Sequence, residues 1–311
     1  MKNKIVFWVE NKPCQTFSYI YAGMKKAFER LGCEVYWFSD QSFPLQSEFD
    51  YSDCIFFVDN QGPLDHNVPI IGSGIYFAYD KFTNVDKYLD KVRCLVNYRV
   101  AEFKKPIPDD DRYVEIEKGV TFDTQAPEPY NVVYFSWATN LMPEEIDLDW
   151  VNKERNNEYN FVGTIHAHRP NAEPLHQQFI EIIKNKDIPF NHYNPNINPA
   201  TDEDHVSILQ RSMFVPDFRP QEQKDNWYLP CRVLKAISYG CLAVSDAPYL
   251  KNFIDDSILT SENAQEIFDL GAENQNNKEL ILHQMEIIKR DHTYLNRCRG
   301  ILKIVEQVRD Q

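Results

Sequence analysis

The segment from Tyr228 to Asp246 constrains the fold most, because it reads as a loop, a short helix, a glycine and a buried strand. Pro230 suits the first turn of a helix, where its missing N–H is not needed. Val233, Leu234, Ala236 and Ile237 have a spacing that lets one helix side pack on a sheet. Gly240 fits the position after the helix end, and Cys241 to Val244 is an apolar strand. The segment predicts an α/β chain.

Two cations on this helix need an explanation. Arg232 and Lys235 are spaced i,i+3, so they are neighbours on one face. A helix N-terminus already carries partial positive charge and exposed N–H donors, which disfavours cations there. A bound anion such as a diphosphate would offset the positive potential of both cations and of the helix N-terminus. The alternative is that both are ordinary solvated residues lying over apolar surface.

This segment resembles the donor-binding helix of GT-B glycosyltransferases. The form Pro-Cys-Arg…Gly-Cys-Leu-Ala-Val-Ser-Asp is similar to that of exostosin-like and related group-1 transferases. The resemblance covers about residues 213–255, with a weaker match around 160–169. Many retaining group-1 enzymes carry two glutamates eight positions apart, but Trp227 and Lys235 stand at those places here. The missing glutamate pair favours an inverting transfer.

Composition bounds the class of protein. The chain has 311 residues, enough for two domains, with 43% hydrophobic and 26% charged residues. Its formal net charge of −14 argues against a main surface for nucleic acid or an anionic membrane, so we expect no nucleic acid partner. No apolar run reaches the ~20 residues of a membrane span, and no signal peptide is recognisable. We expect a cytoplasmic protein without a transmembrane segment.

The seven cysteines are odd in number, scattered and without a C-x-x-C pair. Most lie in apolar runs, where cysteine behaves as a small hydrophobe. They are predicted to be reduced, with neither a disulfide framework nor a zinc site. Cys231, beside the predicted anion site, is the candidate for reaction with alkylating reagents.

The N-terminal half begins as a βαβ unit, which predicts a mainly parallel sheet. The turn after the first strand lacks a glycine fingerprint, which disfavours a Rossmann dehydrogenase. Residues 104–130 hold four prolines and an acidic run, and are predicted to be irregular. The predicted elements are strands at Ile5–Val9, Glu34–Phe38, Cys54–Val58, Val68–Gly72, Cys94–Tyr98 and Tyr134–Trp137, with a helix at Phe17–Leu31.

A second alternating series follows the polar segment Asn152–Glu158, the best linker candidate. It predicts strands at Asn160–Ile165, Pro189–Tyr193 and Met213–Pro216, and helices at Glu173–Lys186 and Asp202–Ser212. The expected domains are residues 1–151, on the acceptor side, and 152–311, which binds the nucleotide-sugar, with terminal helices able to pack back on the first. The resemblance implies an α/β fold of two Rossmann-like domains facing a central cleft, the GT-B architecture.

The predicted donor-binding residues follow the strands of the second half, since ligands bind at the carboxyl ends of such strands. By resemblance, Arg169 is expected to touch phosphate. The histidines in the same loop as Arg169 have two equally open interpretations, a contact with the donor or a position on the surface without a function. Asp217 and Arg219 are alternatively a surface ion pair, and Asp246 a helix N-cap. The full set is Gly163, Thr164, His166, Arg169, Asp217, Arg219, Tyr228, Arg232, Lys235 and Asp246.

A catalytic base is expected from the first domain, within hydrogen-bond reach of the acceptor hydroxyl. Glu10 and Asp59 end predicted strands, and His66 is a third option. The pattern Asp147-Leu-Asp149 matches the metal-binding D-x-D of GT-A transferases, but it lacks the strand context. We therefore predict no metal and no other cofactor.

The hypothesis from the sequence is a glycosyltransferase that moves a sugar, a hexose or deoxyhexose, from a nucleotide-diphosphate-sugar to a hydroxyl acceptor such as a glycan. Cationic side chains and helix N–H groups would stabilise the leaving diphosphate in place of a metal. Two alternatives remain open: a sugar-nucleotide epimerase of the same fold, and a two-domain protein that binds a small ligand without chemistry.

Overall fold

The computed structural model describes residues 2–10, 16–58, 67–79, 94–100, 111–126, 131–163, 173–194, 197–198 and 200–309. The chain divides into two compact units. The N-terminal unit comprises Met1–Asn140 together with Tyr294–Gln311, and the second unit comprises Leu141–Thr293. The chain therefore returns to its first unit at the end.

The described helices and strands alternate along most of the chain, as expected for an α/β fold. In chain order they are β1 (Lys4–Trp8), α1 (Thr16–Arg30), β2 (Glu34–Phe38), β3 (Ile55–Val58), β4 (Ile75–Tyr79), β5 (Cys94–Val100), β6 (Tyr113–Glu117), β7 (Val120–Asp123), β8 (Asn131–Phe135), β9 (Tyr159–Val162), α2 (Glu173–Asn185), β10 (Phe190–Tyr193), α3 (Asp202–Arg211), β11 (Val215–Asp217), α4 (Gln221–Asp225), α5 (Cys231–Ser238), β12 (Ala243–Ser245), β13 (Leu259–Thr260), α6 (Ala264–Asn274), α7 (Lys278–Asp291) and α8 (Tyr294–Arg309). Short 3₁₀ helices lie at Pro143–Glu145, Leu148–Asn152 and Pro248–Asn252.

The strands of the N-terminal unit form one sheet in the order β2-β1-β3-β4-β5-β8-β7-β6. Neighbours from β2 to β8 are parallel, and β7 and β6 add to the edge as antiparallel strands. Successive side chains point to opposite faces. Phe7 and Phe57 pack with Phe28 of α1, while Trp8 and Phe56 belong to a separate cluster on the other face. The sheet is therefore apolar on both sides.

Two sequence predictions for this unit are wrong. The fourth strand is Ile75–Tyr79, and the region predicted as a strand, Val68–Gly72, has no regular structure among its described residues 68–72. The region 104–130 was expected to be irregular, but it contains the hairpin β6–β7. A two-residue turn, Lys118-Gly119, joins these strands, which is a common hairpin connection.

The strands of the second unit are parallel. β9 pairs with β10, and β12 lies between β11 and β13. The Met213 N–H donates to the Glu158 carbonyl (3.0 Å), which connects the start of β11 with that of β9. Because the strands are parallel, β9, β11 and β12 bring their carboxyl ends to the same edge. Asp217 is the last residue of β11, and Gly163 and Asp246 directly follow β9 and β12.

The helix predicted from Tyr228–Asp246 forms as α5 and ends at Ser238. Pro230 is its N-cap. The Gly240 and Cys241 N–H groups donate to the Ile237 and Ala236 carbonyls, the Schellman arrangement of a helix that ends at glycine. Arg155, from the predicted linker, donates to the Gly240 carbonyl. These contacts fix the end of α5 against the start of β12.

No helix in the described part of the chain has both the length and the apolar character that a membrane crossing would need.

Candidate functional site

A charged cluster lies at the carboxyl ends of β11 and β12. It consists of Asp217, Arg219, Lys224, Arg232 and Asp246. Asp217 is fully buried, and Arg219 binds both of its carboxylate oxygens, through Nη2 and, at 2.8 Å, through Nε. Burial alone would raise the pKa of Asp217, but Arg219 and Arg232 outweigh it and hold that pKa below its usual range. Asp217 and Arg219 therefore form a buried ion pair.

Asp246 is the second buried carboxylate of the cluster. It accepts hydrogen bonds from the Arg219 backbone N–H (2.9 and 3.1 Å) and pairs with Lys224 Nζ (3.1 Å). Burial and the nearby Asp217 raise its pKa to about 6. The 3₁₀ helix at Pro248–Asn252 has Ala247 as its N-cap, without a side-chain hydrogen bond. Asp246 thus anchors the chain after β11 and does not cap that helix.

Arg232 is placed by the end of β9 and by Asp217. Its Nη1 donates to Asp217 Oδ1 (3.4 Å), and its Nη2 donates to the Val162 carbonyl (3.5 Å). Its guanidinium carbon lies 4.4 Å from the centroid of the Phe161 ring, within cation–π range. The Arg232 side chain is 22% exposed. Burial and the nearby Arg219 lower the pKa of Arg232.

Positive charge exceeds negative charge in this region. The cations of the cluster are Arg219, Lys224 and Arg232, and its buried carboxylates are Asp217 and Asp246. The second partner of Lys224, Glu262, lies in solvent. With both buried carboxylates ionised, one positive charge is in excess. Excess charge of one sign in a desolvated site is costly, and an anion would offset it.

Aromatic rings pack beside the cluster. Phe218 stacks on the His176 ring (4.9 Å between centroids), and His176 also contacts Phe161. Tyr228 lies under the Arg219 guanidinium, whose carbon is 5.7 Å from the ring centroid. Phe218 is buried and belongs to the core. Tyr228 is half-buried beside the cluster, and its carbonyl accepts a hydrogen bond from Tyr249 Oη (2.7 Å).

The structure brings together part of the predicted donor set. Gly163 lies against the Arg232 guanidinium, and its carbonyl is 2.8 Å from His192 Nε2, which must donate here because a carbonyl only accepts. Thr164, His166 and Arg169 lie outside the described residues. The sequence analysis missed Lys224, because this residue lies in a short polar helix without an apolar pattern.

Of the three predicted catalytic residues, only Glu10 lies within the described residues. It lies two residues after the end of β1 and is exposed, and its carbonyl accepts a hydrogen bond from Ser18 Oγ (3.5 Å). Asp59 and His66 lie outside the described residues. A further carboxylate, Asp40, comes after the neighbouring strand β2. Asp40 Oδ1 accepts hydrogen bonds from Trp8 Nε1 (2.6 Å) and from the Asn67 N–H (2.9 Å), which fix the carboxylate at this edge of the sheet. The sequence analysis did not predict this residue.

The D-x-D pattern at Asp147 has a local structural role. The Asp147 side chain accepts a hydrogen bond from the Asp149 N–H (3.0 Å) and caps the 3₁₀ helix at Leu148–Asn152. In the described ranges, no three His, Cys, Asp or Glu residues are grouped so that they could hold a metal ion.

Comparison with solved structures identifies the fold. No protein-family model and no curated protein matches the chain. An α-glucosyltransferase in complex with UDP superposes with a TM-score of 0.57 at 11% identity, over 99% of this chain and 100% of that chain. Trehalose-6-phosphate synthase OtsA superposes with a TM-score of 0.52 at 7% identity, over 100% of this chain and 99% of that chain. The chain has the fold of GT-B glycosyltransferases, which consists of two Rossmann-like domains.

The expectation that excluded nucleic acid as a partner is wrong. The α-glucosyltransferase in complex with UDP and a 13-mer DNA containing a HMU base has a TM-score of 0.54 at 14% identity, over 98% of this chain and 99% of that chain. A protein of this fold therefore binds DNA. Net charge describes the whole surface, whereas a nucleic acid partner needs a favourable potential only where it binds.

Proposed function

We propose that this protein is a glycosyltransferase that moves a sugar from a nucleotide-diphosphate-sugar to a hydroxyl acceptor without a metal ion. The observation that carries the proposal is the excess of positive charge around Asp217 and Asp246, at the carboxyl ends of parallel strands. Ligands of open α/β sheets bind at such ends. Glycosyltransferases of the same fold bound to UDP or UDP-glucose support this class at the general level.

In the proposed reaction, the bond between the sugar C1 and the diphosphate oxygen breaks, and its electron pair stays on the diphosphate. Arg232 and Lys235, with the N–H groups at the start of α5, stabilise the charge that develops there. The acceptor oxygen forms the new bond to C1, and its proton passes to a base of the N-terminal unit. Glu10, Asp59 and His66 remain the candidate bases.

The transfer is proposed to be inverting, because Trp227 and Lys235 occupy the places of the glutamate pair found in many retaining relatives by resemblance. The transferred group is proposed to be a hexose or deoxyhexose, and the acceptor a glycan. We also propose a cytoplasmic location, in keeping with the free state of Cys33, Cys54, Cys231, Cys241 and Cys298.

Calorimetric titration with UDP, GDP, ADP and CDP tests the site, and uridine, guanosine and the other nucleosides serve as phosphate-free ligands. One diphosphate should bind, and Arg232→Ala should weaken its binding at least tenfold while changing nucleoside binding little, since a charged hydrogen bond contributes about 1.5–3 kcal/mol. Arg211→Ala is the matched control, because Arg211 pairs with Glu158 on the second unit's surface (3.4 Å). Folded protein that binds none of the four nucleotides contradicts the proposal.

The reaction itself is tested with the nucleotide-sugar that binds, incubated with monosaccharides, oligosaccharides and a duplex oligonucleotide. Nucleotide release that depends on one acceptor supports a transferase. A changed sugar-nucleotide formed without acceptor would indicate an epimerase. Binding without release or hydrolysis would indicate a binding protein.

A further inference from the structure

Trp227 has a backbone conformation that a bulky residue rarely adopts. Its φ is +51°, in the left-handed region, and the other non-glycine residues with positive φ in the described ranges are Asp53 and Asp187. Aspartate tolerates this region, because its short polar side chain forms local hydrogen bonds, whereas a large side chain is strained there. The conformation costs stability, so contacts of the Trp227 side chain must hold it in place.

The turn at Trp227 does not itself require tryptophan. The Trp227 N–H donates to the Lys224 carbonyl (3.0 Å), and the Tyr228 N–H donates to the Gln223 carbonyl (2.8 Å). These two bonds end α4 in the Schellman arrangement, in which the left-handed position is usually glycine. Glycine would form the same turn with less strain, so the reason for tryptophan lies in its indole ring.

The indole of Trp227 stacks on the ring of Tyr249. Their centroids are 5.9 Å apart and the planes meet at 13°, an offset parallel arrangement. Tyr249 is the inner ring, only 8% exposed, and its Oη donates to the Tyr228 carbonyl (2.7 Å). Trp227 is the outer ring and is half-buried. Trp227 and Tyr249 together form an aromatic platform.

The aromatic platform lies beside the charged cluster. Tyr249 belongs to the 3₁₀ helix that follows the carboxyl end of β12. The Tyr228 residue that it binds packs its own ring under the Arg219 guanidinium. Burial and, next, the charge of Asp217 raise the pKa of Tyr249, in keeping with a position close to that carboxylate. The platform and the cluster therefore share one edge of the second unit's strands.

The platform is also close to the start of α5. Three residues, Tyr228-Leu229-Pro230, separate Trp227 from Cys231, the first residue of the helix. Four steps of extended chain span at most about 14 Å between the Cα atoms. The proposed function places the diphosphate at these N–H groups, and the sugar is bonded directly to that diphosphate. A sugar on the diphosphate would thus be within reach of the indole.

We propose that Trp227 is a donor-binding residue whose indole packs against the apolar face of the transferred sugar, a hexopyranose. This inference rests on the proposed function and adds a contact with the sugar to it. The C–H groups on one face of a pyranose ring are apolar, and they fit the negative π face of an aromatic ring. The sugar hydroxyls point away from the ring edge, so they remain able to form hydrogen bonds elsewhere.

The test compares wild type and Trp227→Gly by calorimetric titration. The ligands are pyrophosphate, the nucleoside diphosphate that binds among UDP, GDP, ADP and CDP, and the glucose, galactose, mannose and N-acetylglucosamine conjugates of that diphosphate. Glycine relaxes the turn, so the variant should remain folded, which its melting temperature checks. The conjugate that binds should lose affinity about five- to tenfold in Trp227→Gly, whereas the diphosphate and pyrophosphate should change less than twofold. Trp227→Phe, which keeps a ring, should lose less.

Asp187→Gly is the matched control. Asp187 has φ +54°, and its N–H donates to the Lys184 carbonyl (3.0 Å) in the same kind of turn at the end of α2. It precedes the amino end of β10, at the opposite edge from the site. Asp187→Gly makes the same change of backbone freedom, and it should leave all the affinities unchanged.

Three results overturn the inference and leave the proposed function standing. Equal losses for the conjugate, the diphosphate and pyrophosphate in Trp227→Gly would show that Trp227 only positions the start of α5. Equal losses for the conjugate and the diphosphate, with pyrophosphate unchanged, would place the base on the indole instead of the sugar. Wild-type affinity for the conjugate, or binding of the diphosphate without any of its four conjugates, would exclude a sugar contact. Failure of all four diphosphates and of their conjugates to bind overturns both.

Discussion

The backbone of Gly163 approaches the Arg232 guanidinium so closely that a Cβ on residue 163 would lie 2.8 Å from Arg232 Nη2. Gly163 also has φ +138°, a conformation that residues with a side chain rarely adopt. His192 holds the same residue through its carbonyl. The end of β9 and the start of α5 are therefore fitted to each other at the atom that we propose to contact phosphate.

Gly163→Ala should both destabilise the protein and weaken nucleotide binding. The strained backbone should lower the free energy of unfolding by about 1–3 kcal/mol. The added methyl group should also displace the Arg232 guanidinium, so the affinity for UDP should fall. Urea unfolding and calorimetric titration measure the two effects.

Gly32→Ala is the matched control for this change. Gly32 has φ +82° in the N-terminal unit, and a Cβ there would meet no atom within 4 Å. It should lower stability in a similar way and leave UDP binding unchanged. Wild-type UDP affinity in Gly163→Ala would show that this contact does not set the position of Arg232.

Asp217→Asn should be among the most destabilising changes in the second unit. It leaves the guanidinium groups of Arg219 and Arg232 near each other without the buried carboxylate that both contact. Loss of one partner of a buried ion pair costs about 3–5 kcal/mol. Chemical unfolding measures the loss, and saturating UDP should raise the melting temperature of the variant more than that of the wild type.

Glu158→Gln is the control for Asp217→Asn. It removes the partner of Arg211 in a partly exposed pair, so the expected loss is below about 1 kcal/mol. Equal losses for the two variants would contradict the assignment of Asp217 as the central charge of a buried network.

The sequence predicts the fold best where a local pattern decides it. Glu34–Phe38 forms with the predicted bounds, and the helix before Gly240 ends where the glycine indicates. The pattern fails where two apolar runs compete for one strand, as Val68–Gly72 and Ile75–Tyr79 do. Only pairing with β3 and β5 decides between them, and that pairing is a tertiary effect.

For the site, the sequence indicates residue types at strand ends but not their partners. Arg232 and Gly163 were each predicted as donor-site residues, yet nothing in the sequence joins them across 69 positions. The sequence does not decide whether Asp217 and Arg219 form a buried pair, because burial of that pair depends on the surrounding strands. Lys224 had no signal, since it lies in a polar helix that resembles a solvated surface.

Asp246 should give the protein a pH-dependent stability between about pH 4 and pH 6. Its pKa is about 6 in the folded protein, above the ordinary value of 3.8, so the folded state binds more protons in this range. The stabilisation that proton binding by Asp246 gives the folded state is therefore fully present below pH 4 and is lost as pH rises through 6. The pKa of Asp217 is lowered instead, so its contribution is lost only as pH falls below about 4.

Asp246→Asn should remove the pH dependence of stability that Asp246 causes. The free energy of unfolding, measured in urea at pH 4.5, 5.5, 6.5 and 7.5, should fall with pH less steeply in the variant, by on the order of 1–3 kcal/mol across the range. Asp269→Asn, which changes an exposed carboxylate on α6, should keep the wild-type slope. A wild-type slope in Asp246→Asn would assign the titration to another group.

Alkylation of Cys231 should report occupancy of the anion site. Cys231 is the first residue of α5 and is half-buried, directly before Arg232. A diphosphate bound at the start of this helix should shield the thiol, so saturating UDP should slow its reaction with iodoacetamide several-fold. Peptide mapping by mass spectrometry resolves each cysteine separately.

Cys33, equally half-buried but in the N-terminal unit, should react at the same rate with and without UDP, while the buried Cys241 and Cys298 should remain unmodified in the folded protein. If UDP binds by calorimetry and the Cys231 rate does not change, the nucleotide binds away from α5, and Arg232 and Lys235 are not its ligands.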